Sequence, residues 1–372
     1  MAHGSFKAET ILKQKRIFVT DCEGPVSKND NAFELASHFI PEGEKFFALI
    51  SKYDDVLAEI LKRPGYKAGN TLKLILPFLK AYGVTDQKMR EYSAKNILLV
   101  PGAIDTLQFV KGIMPAYIVS TSYEPYIRAL CEIVGFPYEN AYCTRVNIDK
   151  YPLKEEERKR LMKLREEIAA MPMIEIPENA STIEDFSERD RKTIMRLDEI
   201  FKEISEMQCG KIFEEVEPVG GIEKARAVEE IAAKHGTEIS NVIYFGDSIT
   251  DVESFRLMRK NDGLAVSFNG NEYAVKEAEI AVLAEHTIAT SILADAFNKL
   301  GKEKTMELAE NWSLQTLKAY PISEKLLKEL EAASRKYFIR VEVITSENVE
   351  NLCKESAVFR KKVRGEKIGG LG

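Results

Sequence analysis

Short apolar runs that stop at an oxygen-bearing side chain punctuate this chain. Ile17-Phe18-Val19-Thr20 runs into Asp21, and Gly24-Pro25 then mark a loop. Ala116-Tyr117-Ile118-Val119 ends in Ser120-Thr121-Ser122, and Val242-Ile243-Tyr244-Phe245 ends in Gly246-Asp247, with Asp251 four residues on. Brief β-branched and aromatic runs bounded by turn formers predict buried strands. Elsewhere the apolar positions take helical spacing. Residues 30 to 95 read as helix throughout, in Phe33/Leu35, Phe46/Phe47/Leu49/Ile50 and Leu72/Leu74/Ile75, broken at Pro41-Glu42-Gly43, Pro64-Gly65 and Gly83. Helices Ala103 to Lys111 and Pro125 to Val134 flank the strand that ends at Ser120. From Gly220 the alternation resumes, with helices Ile222 to Lys234, Val252 to Met258, Ala274 to Ala278 and Ile288 to Leu300. The strands Leu264 to Ser267 and Ile280 to Leu283 fall among them. Strand and helix in alternation predict a parallel sheet with helices on both faces, complete by residue 300.

Two stretches depart from that rhythm. Residues 153 to 208 carry two amphipathic helical stripes, Leu161/Leu164/Ile168 and Ile194/Leu197/Phe201/Ile204, joined through a proline-broken turn. This is an αα-hairpin, readable as a projecting arm, a second lid or a contact between copies of the chain. Residues 301 to 372 form an extension with a helix from Ser323, a candidate strand Phe338 to Ile344 and a helix Asn348 to Phe359. The basic end, from Arg360 onward, reads as a frayed tail.

Composition narrows the function without naming it. A 45% hydrophobic and 30% charged chain of 372 residues is ordinary for a globular protein. A net charge of −6 gives no basis for nucleic-acid binding. The five cysteines are scattered, without metal-ligand spacing, and read as free thiols in a reducing compartment. With no eighteen-residue apolar window the chain is expected to be cytoplasmic, with no membrane insertion.

A carboxylate or hydroxyl at the carboxyl end of each of three strands suits a cation and a phosphate. Asp21-Cys22-Glu23-Gly24, Ile118-Val119-Ser120, Lys224 and Gly246-Asp247-Ser248-Ile249-Thr250-Asp251, in that order, resemble the four motifs of the haloacid dehalogenase superfamily. The helical insertion between the first and second is similar to the cap of its phosphoserine-phosphatase-like branch. The resemblance covers residues 16 to 300. It implies a Rossmann-like core (1–28 and 96–300) and a helical cap (29–95), and it does not cover the inserted 153–208 hairpin or the C-terminal extension (301–372). It further implies a Mg²⁺-dependent phosphatase acting on a small phosphorylated metabolite. Asp21 would be the nucleophile and Glu23 the acid–base. Ser120, Thr121 and Lys224 would bind the phosphate, and Asp21, Glu23 (through its main-chain carbonyl), Asp247 and Asp251 would hold Mg²⁺. Asp30 stands where an acidic residue of those enzymes meets the substrate.

This sequence also departs from the family pattern. Glu23 replaces the usual aspartate, Pro25 removes a hydroxyl and a backbone donor, and no residue matches the cap arginine of phosphoserine phosphatases. These departures keep open a second class: a catalytically weak regulatory or assembly subunit of a larger complex, of the kind associated in archaea with a membrane hydrogenase. An oligomer through the 153–208 hairpin fits either class.

Overall fold

The computed structural model describes residues 15–64 and 66–371. Residues 1–14 of the expected core, Gly65 of the expected Pro64-Gly65 break, and Gly372 lie outside the described residues. Seven strands form one sheet in the order β3-β2-β1-β4-β5-β6-β7. They are β1 (Ile17–Thr20), β2 (Ala116–Tyr123), β3 (Ala141–Thr144), β4 (Val242–Gly246), β5 (Leu264–Phe268), β6 (Ile280–Ala284) and β7 (Ile339–Val343). The first six run parallel, and β7 lies antiparallel against β6. This is a Rossmann-like α/β fold with a helical cap insertion.

Strands β1, β4, β5 and β6 are buried at every residue, which is why they read as continuous apolar runs and not as alternations. The pleat divides their side chains between two cores. Phe18, Ile118, Ile243, Phe245 and Val266 pack beneath helices Ala103–Ile113, Glu124–Val134 and Ile288–Leu300. On the opposite face Ile17, Val19, Tyr117, Tyr244 and Ala265 meet helices Ile222–Lys234 and Val252–Lys260.

A separate core forms above the sheet. Helices Asn31–Phe39, Gly43–Asp55, Thr71–Ala81 and Asp86–Lys95 share one apolar cluster with the hairpin helices Glu155–Ala170 and Glu188–Ser205. Leu161, Leu164, Ile168, Ile194, Leu197 and Ile204 are fully buried there, so the hairpin spends its apolar stripes on the cap.

Two expectations about the C-terminal part are corrected. The sheet is not complete by residue 300, because β7 pairs along the whole of β6 as a new edge. Nor is the basic end a frayed tail. The helix runs from Val349 through Arg364, and its face of Leu352, Cys353, Ser356, Arg360 and Arg364 is buried. Leu352 and Cys353 pack with Val275 and Leu283, and the Ser356 hydroxyl donates to the Gly270 carbonyl at 2.6 Å.

Candidate active site

Because β1 lies between β2 and β4, the loops that follow these three strands are neighbours. The Asp21 N–H donates to the Phe245 carbonyl at 2.7 Å, which aligns the loop after β1 with the end of β4. Two glycines allow the close approach. Gly24 has φ +98°, and a Cβ there would collide with the Asp247 carboxylate; a Cβ on Gly246 would collide with the Asp251 carboxylate.

Lys224 organises the floor of the site. It is fully buried, with Nζ 2.8 Å from Asp21 Oδ2 and 2.7 Å from Asp251 Oδ1. Burial opposes its charge, but Asp21 and Asp251 outweigh that and hold its pKa above the usual lysine value. The other Asp21 oxygen accepts from the Cys22 N–H at 2.6 Å. Burial pushes the Asp21 carboxyl up to about 7, against the pull of Lys224.

Asp251 is occupied on both oxygens. Oδ1 also accepts from the Tyr244 hydroxyl at 2.7 Å, and Oδ2 accepts from the N–H groups of Asp247 and Ser248 at 2.9 and 3.0 Å. It therefore fixes Lys224 and shapes the Gly246–Asp251 loop. Even so, Asp21, Asp247 and Asp251 each bring a carboxylate oxygen within 4.8 Å of the other two.

Glu23 Oε1 accepts from the Asn31 N–H at 2.7 Å. Burial first, then the nearby Asp30 charge, raises its pKa well above the usual carboxyl range, while Arg364 pulls the other way. Asp30 caps the first cap helix, accepting from the Phe33 N–H at 2.9 Å, and burial raises its pKa too. Ser120 Oγ accepts from the Ser122 N–H at 3.2 Å.

A cavity of about 110 Å³ brings Asp21, Glu23, Asp30, Thr121, Asp247 and Arg360 together between sheet and cap. Thr121 Oγ1, Ser122 Oγ, Asp54 Oδ1 and Arg360 Nε are buried there without a hydrogen-bond partner among the described residues. Buried polar atoms without a protein partner, around a small acidic cavity, leave hydrogen-bonding capacity for water, an ion or a ligand.

Sequence reasoning missed Arg360 and Arg364. Both guanidiniums bind Asp247 Oδ2, Arg364 Nη1 at 2.9 Å and Arg360 through its own Nη1, which also donates to the Asp247 carbonyl at 3.1 Å. The available signal was periodic: Leu352, Ser356, Arg360 and Arg364 fall four residues apart, so the arginines continue the buried stripe of their helix.

No family model matches the chain. It is 32% identical over 99 residues to the phosphoserine phosphatase of Archaeoglobus fulgidus, a stretch covering 26% of this chain and 28% of that enzyme. Among solved structures, gene product AF1437 from Archaeoglobus fulgidus superposes with a TM-score of 0.78 at 27% identity, over 96% of this chain and 99% of its own. A substrate-bound phosphoserine phosphatase aligns at 15% identity and a TM-score of 0.43, over 72% of this chain and 93% of its own. The four motifs, seated at the ends of β1, β2 and β4 and on the helix Ile222–Lys234, together with these likenesses support an assignment to the haloacid dehalogenase superfamily.

Proposed function

We propose that this protein hydrolyses a small soluble phosphate monoester through an aspartyl-phosphate on Asp21. The observation that carries the reading is the buried Asp21–Lys224–Asp251 chain, set beside a Glu23 whose burial favours the protonated form. An Asp21 oxygen attacks phosphorus as the ester P–O bond breaks, and Glu23 gives its proton to the departing alkoxide. Glu23, now ionised, then takes a proton from water as that water attacks phosphorus. The bond from phosphorus to Asp21 breaks and inorganic phosphate leaves. Lys224 holds Asp21 in place and offers fixed positive charge to the phosphoryl oxygens. Ser120, Thr121 and Ser122 supply hydroxyls on the β2 side.

Two buried carboxylates of all-oxygen character suit a hard divalent cation. Mg²⁺ would be held by Asp21 and Asp247, with the Glu23 main-chain carbonyl, and Asp251 would act from behind through Lys224. When bound it supplies the screening that lets an anionic nucleophile approach an anionic ester.

The test is a hydrolysis screen over phosphorylated metabolites, beginning with phosphoserine, with and without Mg²⁺ and beside Asp21→Asn. Turnover that needs both Mg²⁺ and Asp21 is expected. A flat screen with folded protein would instead favour the second reading, a catalytically weak regulatory subunit. The arginine pair on Asp247 is the feature that keeps that reading in play.

A further inference from the structure

The C-terminal helix enters the site at an atom the cation would also use. Arg360 and Arg364 are 4% and 9% exposed, and both engage a single oxygen of Asp247. Two guanidiniums on one carboxylate oxygen more than answer its charge. A divalent ion placed between Asp21 and Asp247 would then face both of them across that one carboxylate, in a buried setting where like charges repel strongly.

We propose that Arg360 and Arg364 are positioning residues for Asp247, and that docking of their helix and binding of a divalent cation oppose each other through that carboxylate. The inference rests on the reading of Asp21 and Asp247 as the cation pair.

The way the helix is anchored fits such a local exchange. Its first half is fastened away from Asp247, by Leu352 and Cys353 against Val275 and Leu283, by the Ser356 bond to Gly270 and by the pairing of Glu355 with Arg340. Its last turns combine Phe359, packed against Phe338, with polar contacts at the site. Besides Asp247, Arg364 donates to the main-chain carbonyls of Lys28 (3.3 Å) and Asn29, in the link between the nucleophile loop and the first cap helix. Arg360 Nε has no partner among the described residues. Beyond the helix, Ile368 and Leu371 pack on the cap core, and Lys367 lies 2.7 Å from Glu44 of the cap. The terminal segment is thus a strap from core to cap whose buried charged contact is the one the cation contests. Linkage is reciprocal: whatever factor the arginines take from cation affinity, the cation takes from docking of the strap.

The experiment uses the full chain. Mg²⁺ and Mn²⁺ affinities are measured by calorimetry on wild type, Arg360→Met/Arg364→Met and the charge-retaining Arg360→Lys/Arg364→Lys. Hydrogen exchange of residues 357–371 in the wild type is followed with and without cation. The methionine variant should bind cation at least about tenfold more tightly, and the lysine variant should return toward wild type. Saturating Mg²⁺ should speed exchange in 357–371 and leave 349–356 unchanged. Equal or weaker cation binding by a folded methionine variant overturns the linkage, as does protection of 357–371 by Mg²⁺. Should that variant fail to fold, wild-type exchange decides alone, and unchanged exchange at saturating cation overturns the proposal. Wild type that takes up no cation at all fails at the earlier step, the Asp21–Asp247 site, and brings this inference down with it.

Discussion

In the proposed reaction, Glu23 is the residue on which the chemistry turns. Burial, and after it the Asp30 charge, raises its pKa well above the usual carboxyl range, while the Asn31 N–H fixes its direction. Losing a general acid typically costs roughly a hundred- to ten-thousand-fold. Glu23→Gln should slow alkyl phosphates by that order and aryl phosphates less, since an aryl oxide leaves with little protonation. Equal rates for wild type and variant on both ester types would remove Glu23 from the mechanism.

A second residue-scale effect is set by pH. Asp55 is buried beside the cavity, with Lys52 at 3.9 Å, and burial pushes its carboxyl up to about 7. An unfolded aspartate titrates near about 4. Between those values the folded chain holds a proton that the unfolded chain has lost, so stability falls as pH rises, by up to about 1.4 kcal/mol per pH unit. Below about pH 4 both states are protonated and the cost vanishes. Asp55→Asn should therefore raise Tm at pH 8 and leave it unchanged at pH 4. An equal Tm difference at both pH values would show that the effect is packing and not titration.

At this scale Asp21, Asp247 and Lys224 were legible because each sits where a regular element starts or stops. Arg360 and Arg364 were not, since basic residues near a chain end look solvated unless the apolar stripe before them is followed through.

At the scale of elements, helical period identified the hairpin but could not choose the surface its stripes would cover. The structure supplies that surface, since Leu164 and Ile194 are fully buried in the cluster that holds Phe46 and Phe78 of the cap. Leu164→Ala should cost about 2–5 kcal/mol, read as a lowered midpoint in urea. Replacing residues 155–206 by a short linker should give a molten or insoluble cap, because the apolar faces of Gly43–Asp55 and Thr71–Ala81 lose their cover. A soluble deletion variant with unchanged near-ultraviolet dichroism would show the cap core to be self-sufficient. Strand β3 was faint in the sequence for a related reason. It is four residues long, lies at the sheet edge and is only half buried over its first two residues, so its apolar signal is weak.

At the scale of the molecule, the extension adds an edge to the sheet and lines one side of the cavity. Strand β6, Ile280–Ala284, is apolar and buried at every position, a sequence suited to the middle of a sheet. β7 makes a tolerable edge because it carries Arg340 and Glu342, each 34% exposed and paired to one another. Charged edge strands discourage pairing with other chains, whereas a flat apolar edge invites it. The expectation that the sheet ended at residue 300 failed on this point, since periodicity shows a strand but not which neighbour needs it. Ending the chain at Ser334 should expose β6 and produce oligomers or precipitate in light scattering, even though the four motifs remain. Ending it at Glu347 keeps β7 on β6 while removing the arginine helix. That shorter loss should leave a protein in the same oligomeric state as the full chain, with a reduced melting temperature. If both truncations scatter alike, the helix Val349–Arg364 protects the sheet, and β7 is not the element that closes it.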